Sequence, residues 1–273
     1  MAEELTKEKV AELATQIRDM ARLTYLPIGF TFLKSEDEMP EGARRPSGRG
    51  QAWPVCLAEN IVRTLGWTIG MTLDDHFCIM AAAGMGYIEM PEYLQEGKFG
   101  SHHTKDKDLG LKLQNNLEAC FLETESTAGL VLTPATKPMV MPQGVVFYGN
   151  PTQIGKIAKG VAWYQGAPVP ASGGGIGACV VASYAMMVEQ KPRIVLPCSG
   201  EKVLGHTEEN DIFMSVPVKD LPDMVKGMKA TDFMLPYPTA KFMFFEPRIP
   251  KGYPMDHKTY KAWKEGKKGE EKK

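Results

Sequence analysis

Four of the five cysteines fall into two pairs of similar spacing, and thiols placed this way suit metal ligation, nucleophilic chemistry or burial in a core. Cys78 follows Cys56 by 22 positions and precedes Gly84 and Gly86; Cys198 follows Cys179 by 19 and precedes Gly200 and Gly205. Each half thus reads as cysteine, helix, connection, cysteine and glycine-bearing turn, the pattern of a degenerate duplication. Cys56 and Cys179 are expected to open helices, where the positive end of the helix dipole favours thiolate. Cys78 and Cys198 read as turn thiols. Brought together by pseudo-symmetry, Cys56, Cys78, Cys179 and Cys198 would form the ligand set of a zinc ion or an iron–sulfur cluster. Against that reading, no C-x-x-C occurs, and free cysteine is among the most commonly buried residue types.

Cys179 is also the candidate nucleophile of a thiol enzyme. It ends the run Ser172-Gly-Gly-Gly-Ile-Gly-Ala-Cys179, in which Gly173, Gly174, Gly175 and Gly177 would aim backbone N–H groups at an anionic cofactor, substrate or oxyanion. The same glycines equally permit close packing, and they do not make a dinucleotide fingerprint. His76 stands beside Asp75 and Cys78 as a ligand or a helix-start residue, and His206 has a weaker claim of the same kind. His102 and His103 belong to a polar loop and are expected to face solvent. Cys120, on an apolar helical face, reads as core. There is no GxxxxGK[ST], HExxH or GxSxG, so P-loop, zincin and ordinary α/β-hydrolase chemistry have no support.

The elements that must carry these residues alternate between helix and strand. Thr6 reads as an N-cap, and Val10, Leu13, Ile17, Met20 and Leu23 form one helical face. Leu26, Ile28, Phe30 and Phe32 alternate as a strand does. The segment 35–54 carries Arg44, Arg45 and Arg49 among prolines and glycines and reads as a long solvated loop. Helices are expected over 56–67, 109–122, 152–165 (Thr152 as N-cap), 179–188 and 221–228. Strands are expected over 130–133, 145–148, 193–197, 212–216 and 239–246. This predicts an α/β fold, with α+β as the alternative: a single globular domain over 1–263, with halves 1–128 and 129–263, and a disordered charged tail over 264–273.

The 273 residues, 43% of them hydrophobic, can bury a large core. A net charge of −1 argues against a nucleic-acid binder. No apolar run reaches the roughly 18 residues of a membrane helix, and the charged start MAEELTKEKV is unlike a signal peptide. Five cysteines, an odd number, do not suggest a secreted disulfide framework. The expectation is a cytoplasmic protein. Its 17 methionines suit a reducing or anaerobic setting, and a homo-oligomer is the default for a chain of this kind.

Pro54-Val-Cys56-Leu-Ala, Phe77-Cys78 with Ala83-Gly84-Met-Gly86, Gly149-Asn-Pro151, Gly177-Ala-Cys179 and Pro197-Cys198-Ser-Gly200-Glu-Lys resemble an uncharacterised family of archaea and anaerobic bacteria, domain of unknown function 169. The resemblance spans about residues 10–230. Where family members often carry arginine, this chain has Lys202, which weakens an anion-fork role there. The family brings no activity, so three readings stand: a cofactor- or ligand-binding protein with a cysteine-lined site for a small molecule or metal, a thiol-dependent enzyme, and a structural or assembly protein with core thiols.

Overall fold

Thr6 starts the fold as expected, its hydroxyl accepting from the Lys9 N–H at 3.3 Å. Helix α1 (Lys7–Ala21) presents Val10, Leu13 and Ile17 to the interior and ends on Arg22 in the left-handed conformation. Strand β1 (Ile28–Leu33) follows, then α2 (Val55–Leu65), β2 (Ile69–Met71), α3 (Ile79–Gly84), the short α4 (Glu92–Gln95) and α5 (Lys98–Ser101), α6 (Lys107–Glu118) and β3 (Gly129–Pro134). The chain continues through β4 (Gly144–Gly149), α7 (Pro151–Gln165), β5 (Ala171–Ser172), α8 (Ala178–Tyr184, extended by a π turn), β6 (Arg193–Val195), α9 (Ser199–Val203), β7 (Ile212–Pro217) and α10 (Leu221–Thr231). This computed structural model describes residues 5–118, 120–232, 260, 261 and 264. One compact unit spans Met1–Met228 and a second Lys229–Lys273; in the latter, Tyr260, Lys261 and Lys264 are helical. The expected strand over 239–246, and the expected tail beyond Lys264, lie outside the described residues.

The seven strands form one mixed sheet in the order β2-β3-β1-β4-β7-β6-β5, antiparallel except for the β5–β6 pair. The fold is α/β, as the alternation of helix and strand predicts. Both sheet faces are covered, because alternate strand residues feed two cores. In β4, Val146 and Tyr148 join the core under α2 and α8, while Val145 and Phe147 join the core under α1, α7 and α10.

The topology repeats itself about the β1–β4 pair. Reading outward, one side runs β1, β3, β2 and the other β4, β7, β6, with every neighbour antiparallel. On each side one cysteine-bearing helix lies between the first strand and the outer strand in chain order (α2 and α8), and another between the outer and the middle strand (α3 and α9). The set of strands β1, β3 and β2 is complete only after β3, which pairs with both of the others. Helix α7 and strand β5 have no counterpart in the first half.

One expectation needs correction and another an addition. Asn150, not Thr152, caps α7: its side chain accepts from the Gln153 N–H at 3.0 Å, and Gln153 returns the bond at 2.9 Å, with Pro151 as first helical residue. The segment 35–54 is largely exposed, as expected of a solvated connection, and is also tied down along its length. Arg44 lies 3.5 Å over the Trp67 ring, and Arg45 pairs with the buried Asp75 at 2.7 Å, while the Ser47 N–H donates to the same carboxylate.

Helices α7 and α10 touch backbone to backbone where Gly160 meets Gly227: a Cβ at Gly227 would stand 2.1 Å from the Gly160 carbonyl oxygen. An exposed helical glycine gains about 1 kcal/mol on replacement by alanine, but here the obstacle is backbone and cannot step aside. Gly227→Ala is expected to destabilise the protein by about 2 kcal/mol or more, read as a lower urea midpoint at unchanged slope.

Candidate functional site

All four paired cysteines stand at helix N-termini. Cys56 and Cys179 are the second residues of α2 and α8, while Cys78 and Cys198 are the N-caps of α3 and α9. The last two are thus helix-start thiols as well, not turn thiols; the helices they open are only 6 and 5 residues long, too short for a periodic signal. The four residues, separated by up to 142 positions of sequence, line one cavity of about 200 Å³. Glycines close the frame around it. A Cβ at Gly205 would meet the Cys56 Cβ at 2.9 Å, and one at Gly84 the Val180 side chain at 2.6 Å. The first contact holds the start of α2 against α9 and the second holds α3 against α8. The Cys56 Sγ donates to the Gly200 carbonyl at 3.5 Å across the first of these seams.

Met80, Phe99, Ile176 and Leu204 give the cavity an apolar wall, and His103 joins Phe99 there, the two rings 5.3 Å apart. His102 and His103 are exposed, as their polar segment predicts, and His103 also borders the cavity; the segment folds into α5 and the start of α6, which meet where Gly100 and Gly110 touch through their backbones. Of the glycine run, only Gly177 lines the cavity. Its φ is +61°, and a Cβ there would strike Leu117 at 2.7 Å, so packing is what this position requires. Gly173, Gly174 and Gly175 are exposed and lie outside the lining.

The helix dipoles do not win the contest over the thiols. Burial pushes Cys56, Cys179 and Cys198 above the ordinary thiol range, and neighbouring acidic groups push the same way. The expected low-pKa thiolates at Cys56 and Cys179 are thus corrected: desolvation of a thiolate outweighs a helix-end contribution of about 0.3–1 kcal/mol. Cys198 has the most direct support for a negative sulfur, because the N–H groups of Ala178, Glu201 and Gly200 oppose the effect of burial there. Among the described residues, no group of three or more His, Cys, Asp or Glu side chains is disposed to hold a single metal ion. The four cysteines line one space.

Sequence reasoning missed what lies behind the sulfurs. Glu59 and Glu201 are 1% and 0% exposed, and Arg63 is as deeply buried. The Tyr148 hydroxyl touches Oε2 of both carboxyl groups, 3.2 Å from Glu201 and closer to Glu59. Thr207 donates to Glu201 at 3.0 Å, and Arg63 donates to the Gly205 carbonyl at 2.8 Å with its guanidinium 4.2 Å above the Tyr148 ring. Burial raises the pKa of Glu59, and the neighbouring Glu201 raises it further; burial also raises Glu201, against the pull of Arg63. Glu201 lines the cavity, and its Oε1 is buried with no hydrogen-bond partner. The overlooked signal is a repeat: Cys56-Leu-Ala-Glu59 and Cys198-Ser-Gly-Glu201 each set a glutamate three residues after a helix-start cysteine, on the same helical side. Arg63 continues that side of α2 one turn on.

The remaining candidates stand apart. Cys120 is half-buried outside the cavity lining, and His206 is exposed. His76 does not line the cavity. It packs against Tyr87 with ring centroids 4.5 Å apart, both ring nitrogens are buried without partners, and burial pulls its pKa down to about 4.

A family model described as DUF169, uncharacterised ArCR, matches residues 16–227. The uncharacterized protein MJ0308 of Methanocaldococcus jannaschii is 22% identical over 225 residues, 81% of this chain and 94% of that one. No solved structure matches significantly. Among the described residues, no helix is long and apolar enough to cross a membrane.

The His76 environment has a pH signature. A histidine held neutral in the fold with a pKa near 4, against 6.5 when unfolded, stabilises fully above pH 6.5, and the contribution is lost as pH falls toward 4. The loss amounts to as much as about 3 kcal/mol. His76→Phe should flatten the fall in melting temperature over that interval relative to the wild-type protein.

Proposed function

Because the chain belongs to the DUF169 family, whose description assigns no activity, we propose its function from the geometry of its own cavity: it binds a small, largely apolar molecule or cofactor between the four cysteine-bearing helix ends. The observation that carries this reading is the convergence of Cys56, Cys78, Cys179 and Cys198, with Glu201, on one cavity of about 200 Å³. A room of this size and lining suits a ligand of a few heavy atoms with an apolar body and one or two polar points. The expected metal or iron–sulfur centre is a separate form of the same proposal. It draws support from the four sulfurs on one cavity and lacks three donors converging on a common ion. A nucleophile at Cys179 has less support than a neutral thiol there, since burial holds that proton on sulfur.

Indole, an apolar ring system with a single N–H, is a suitable first probe. It should bind the intact chain in calorimetry, and Gly200→Leu should weaken it at least about tenfold, equivalent to about 1.4 kcal/mol. A side chain there enters open space beside the Cys198 sulfur at 3.7 Å, so stability should change little. Stoichiometric iron or zinc in anaerobically purified protein, lost in Cys198→Ser, would replace the organic-ligand form by the metal form. Protein without metal that also binds no small apolar probe would sink both.

A further inference from the structure

The two related sides of the sheet differ most in one connection. Between α9 and β7 the chain crosses with residues 204–211; at the equivalent place, between α3 and β3, it runs from 85 to 128 and builds α4, α5 and α6. This insertion leaves and returns through one neck. The Leu122 N–H donates to the Gly84 carbonyl at 2.9 Å, and the Thr127 N–H to the Gly86 carbonyl at 3.1 Å. Gly86 has a φ of +77°, and a Cβ there would stand 2.6 Å from the Glu123 carbonyl oxygen, so the crossing admits only glycine. The neck itself is fixed to the body. Tyr87 is buried and its hydroxyl donates to the Met71 carbonyl at 3.0 Å, while the Ala128 N–H donates to the Leu33 carbonyl at 2.9 Å.

Beyond the neck the insertion holds to itself. A Cβ at Gly100 would lie 2.1 Å from the Gly110 carbonyl oxygen, and one at Gly97 would lie 2.9 Å from the Leu111 backbone, so α5 and α6 join through their main chains. The Tyr93 hydroxyl and His102 Nε2 stand 3.1 Å apart and tie α4 to the end of α5. Against the body the insertion lays apolar side chains: Leu94, Phe99, Leu113 and Leu117 pack with Met80, Ala83 and Ile176 in a third, small cluster whose buried members belong to neither sheet core. Two internally cohesive parts, joined by one neck and a small apolar contact, form the arrangement that opens below global unfolding. Phe99 and His103 are what the insertion contributes to the cavity lining. We propose that α4, α5 and α6 form a lid that moves as one body about the neck at Gly86, opening the cavity to its ligand and closing Phe99 against it. The inference rests on the reading of the cavity as a ligand site, and it makes ligand entry a conformational step.

Hydrogen exchange of the full wild-type chain, read by peptide mass spectrometry, tests the motion without a ligand. The amides of α5 and α6 should exchange together, at least about a hundredfold faster than those of β1 and β3, at a rate that hardly changes in low urea. Exchange as slow as the sheet's, or a urea dependence as steep as that of global unfolding, overturns the proposal, and this arm needs no variant to fold. The second measurement is access to the cavity. Leu94 is fully buried in the small cluster and stands outside the cavity lining, so Leu94→Ala loosens the lid without altering the wall. It should speed the labelling of Cys179 by dithionitrobenzoate at least about tenfold, in low urea as in none; the sulfur forms a mixed disulfide and one thionitrobenzoate leaves. Unchanged labelling, or labelling that climbs with urea as steeply as unfolding does, overturns the proposal. Indole, where it binds, should slow exchange in α5 and α6, and bound indole without that slowing also sinks the lid. Failure of indole to bind counts against the ligand reading alone and leaves the two ligand-free results to decide the lid.

Discussion

The antiparallel pairing of β1 with β4 is the constraint on which the rest of the molecule depends. Only Ile28, Gly29 and Phe30 pair with Val146, Val145 and Gly144, yet this short seam joins three strands on one side to four on the other. Gly144 allows the seam to lie close under the π turn, where a Cβ would meet the Met186 sulfur at 2.5 Å. Gly29 likewise leaves room for Pro142, whose ring stands 2.8 Å from the place of a Cβ. With the two sides related across this seam, the connections that carry cysteines emerge at equivalent places. Four helix starts that share no local sequence proximity are thereby delivered to one cavity.

What those helix starts do to the thiols depends on magnitudes. A helix end stabilises an anion by about 0.3–1 kcal/mol at an exposed site and up to about 2 kcal/mol when partly buried. Moving a charged group out of water costs several kcal/mol. In a cavity walled by Met80, Phe99, Ile176 and Leu204, and backed by two acidic residues, the second effect prevails. Burial thus favours the neutral thiol at Cys56, Cys179 and Cys198.

Much of the scaffold was legible because its signals are local. Thr6, the alternation through Phe30 and Phe32, and the Gly149-Asn150-Pro151 turn each specify their own element through capping, period or fixed φ. The four cysteines could be singled out by spacing, and the structure gathers them. The glycine run misled for a physical reason: glycine marks close approach of any kind, and at Gly177 the neighbour is the Leu117 side chain, not an anion. Glu59, Glu201 and Arg63 escaped notice because charged residues three and four apart on a helix ordinarily decorate a solvated face. Only the tertiary fold turns those faces inward.

That inward turn is hard to explain by stability. A buried set of two carboxyl groups and a guanidinium is replaced by apolar residues of similar volume without loss in other folds, often with a gain of about 1–4 kcal/mol. Here Arg63 Nε and Nη1 and Glu201 Oε1 are left without partners, which adds to the cost of burial. The sheet above them is already well packed, with Tyr148 stacked on Phe213 at 4.8 Å. An apolar core would serve the β1–β4 seam equally well. The unpartnered oxygen is also not placed at random: it belongs to the one carboxylate that reaches the cavity where the four cysteines meet. A costly polar network that reaches the cavity lining through Glu201 is what the proposed binding site would use and an apolar core would not supply.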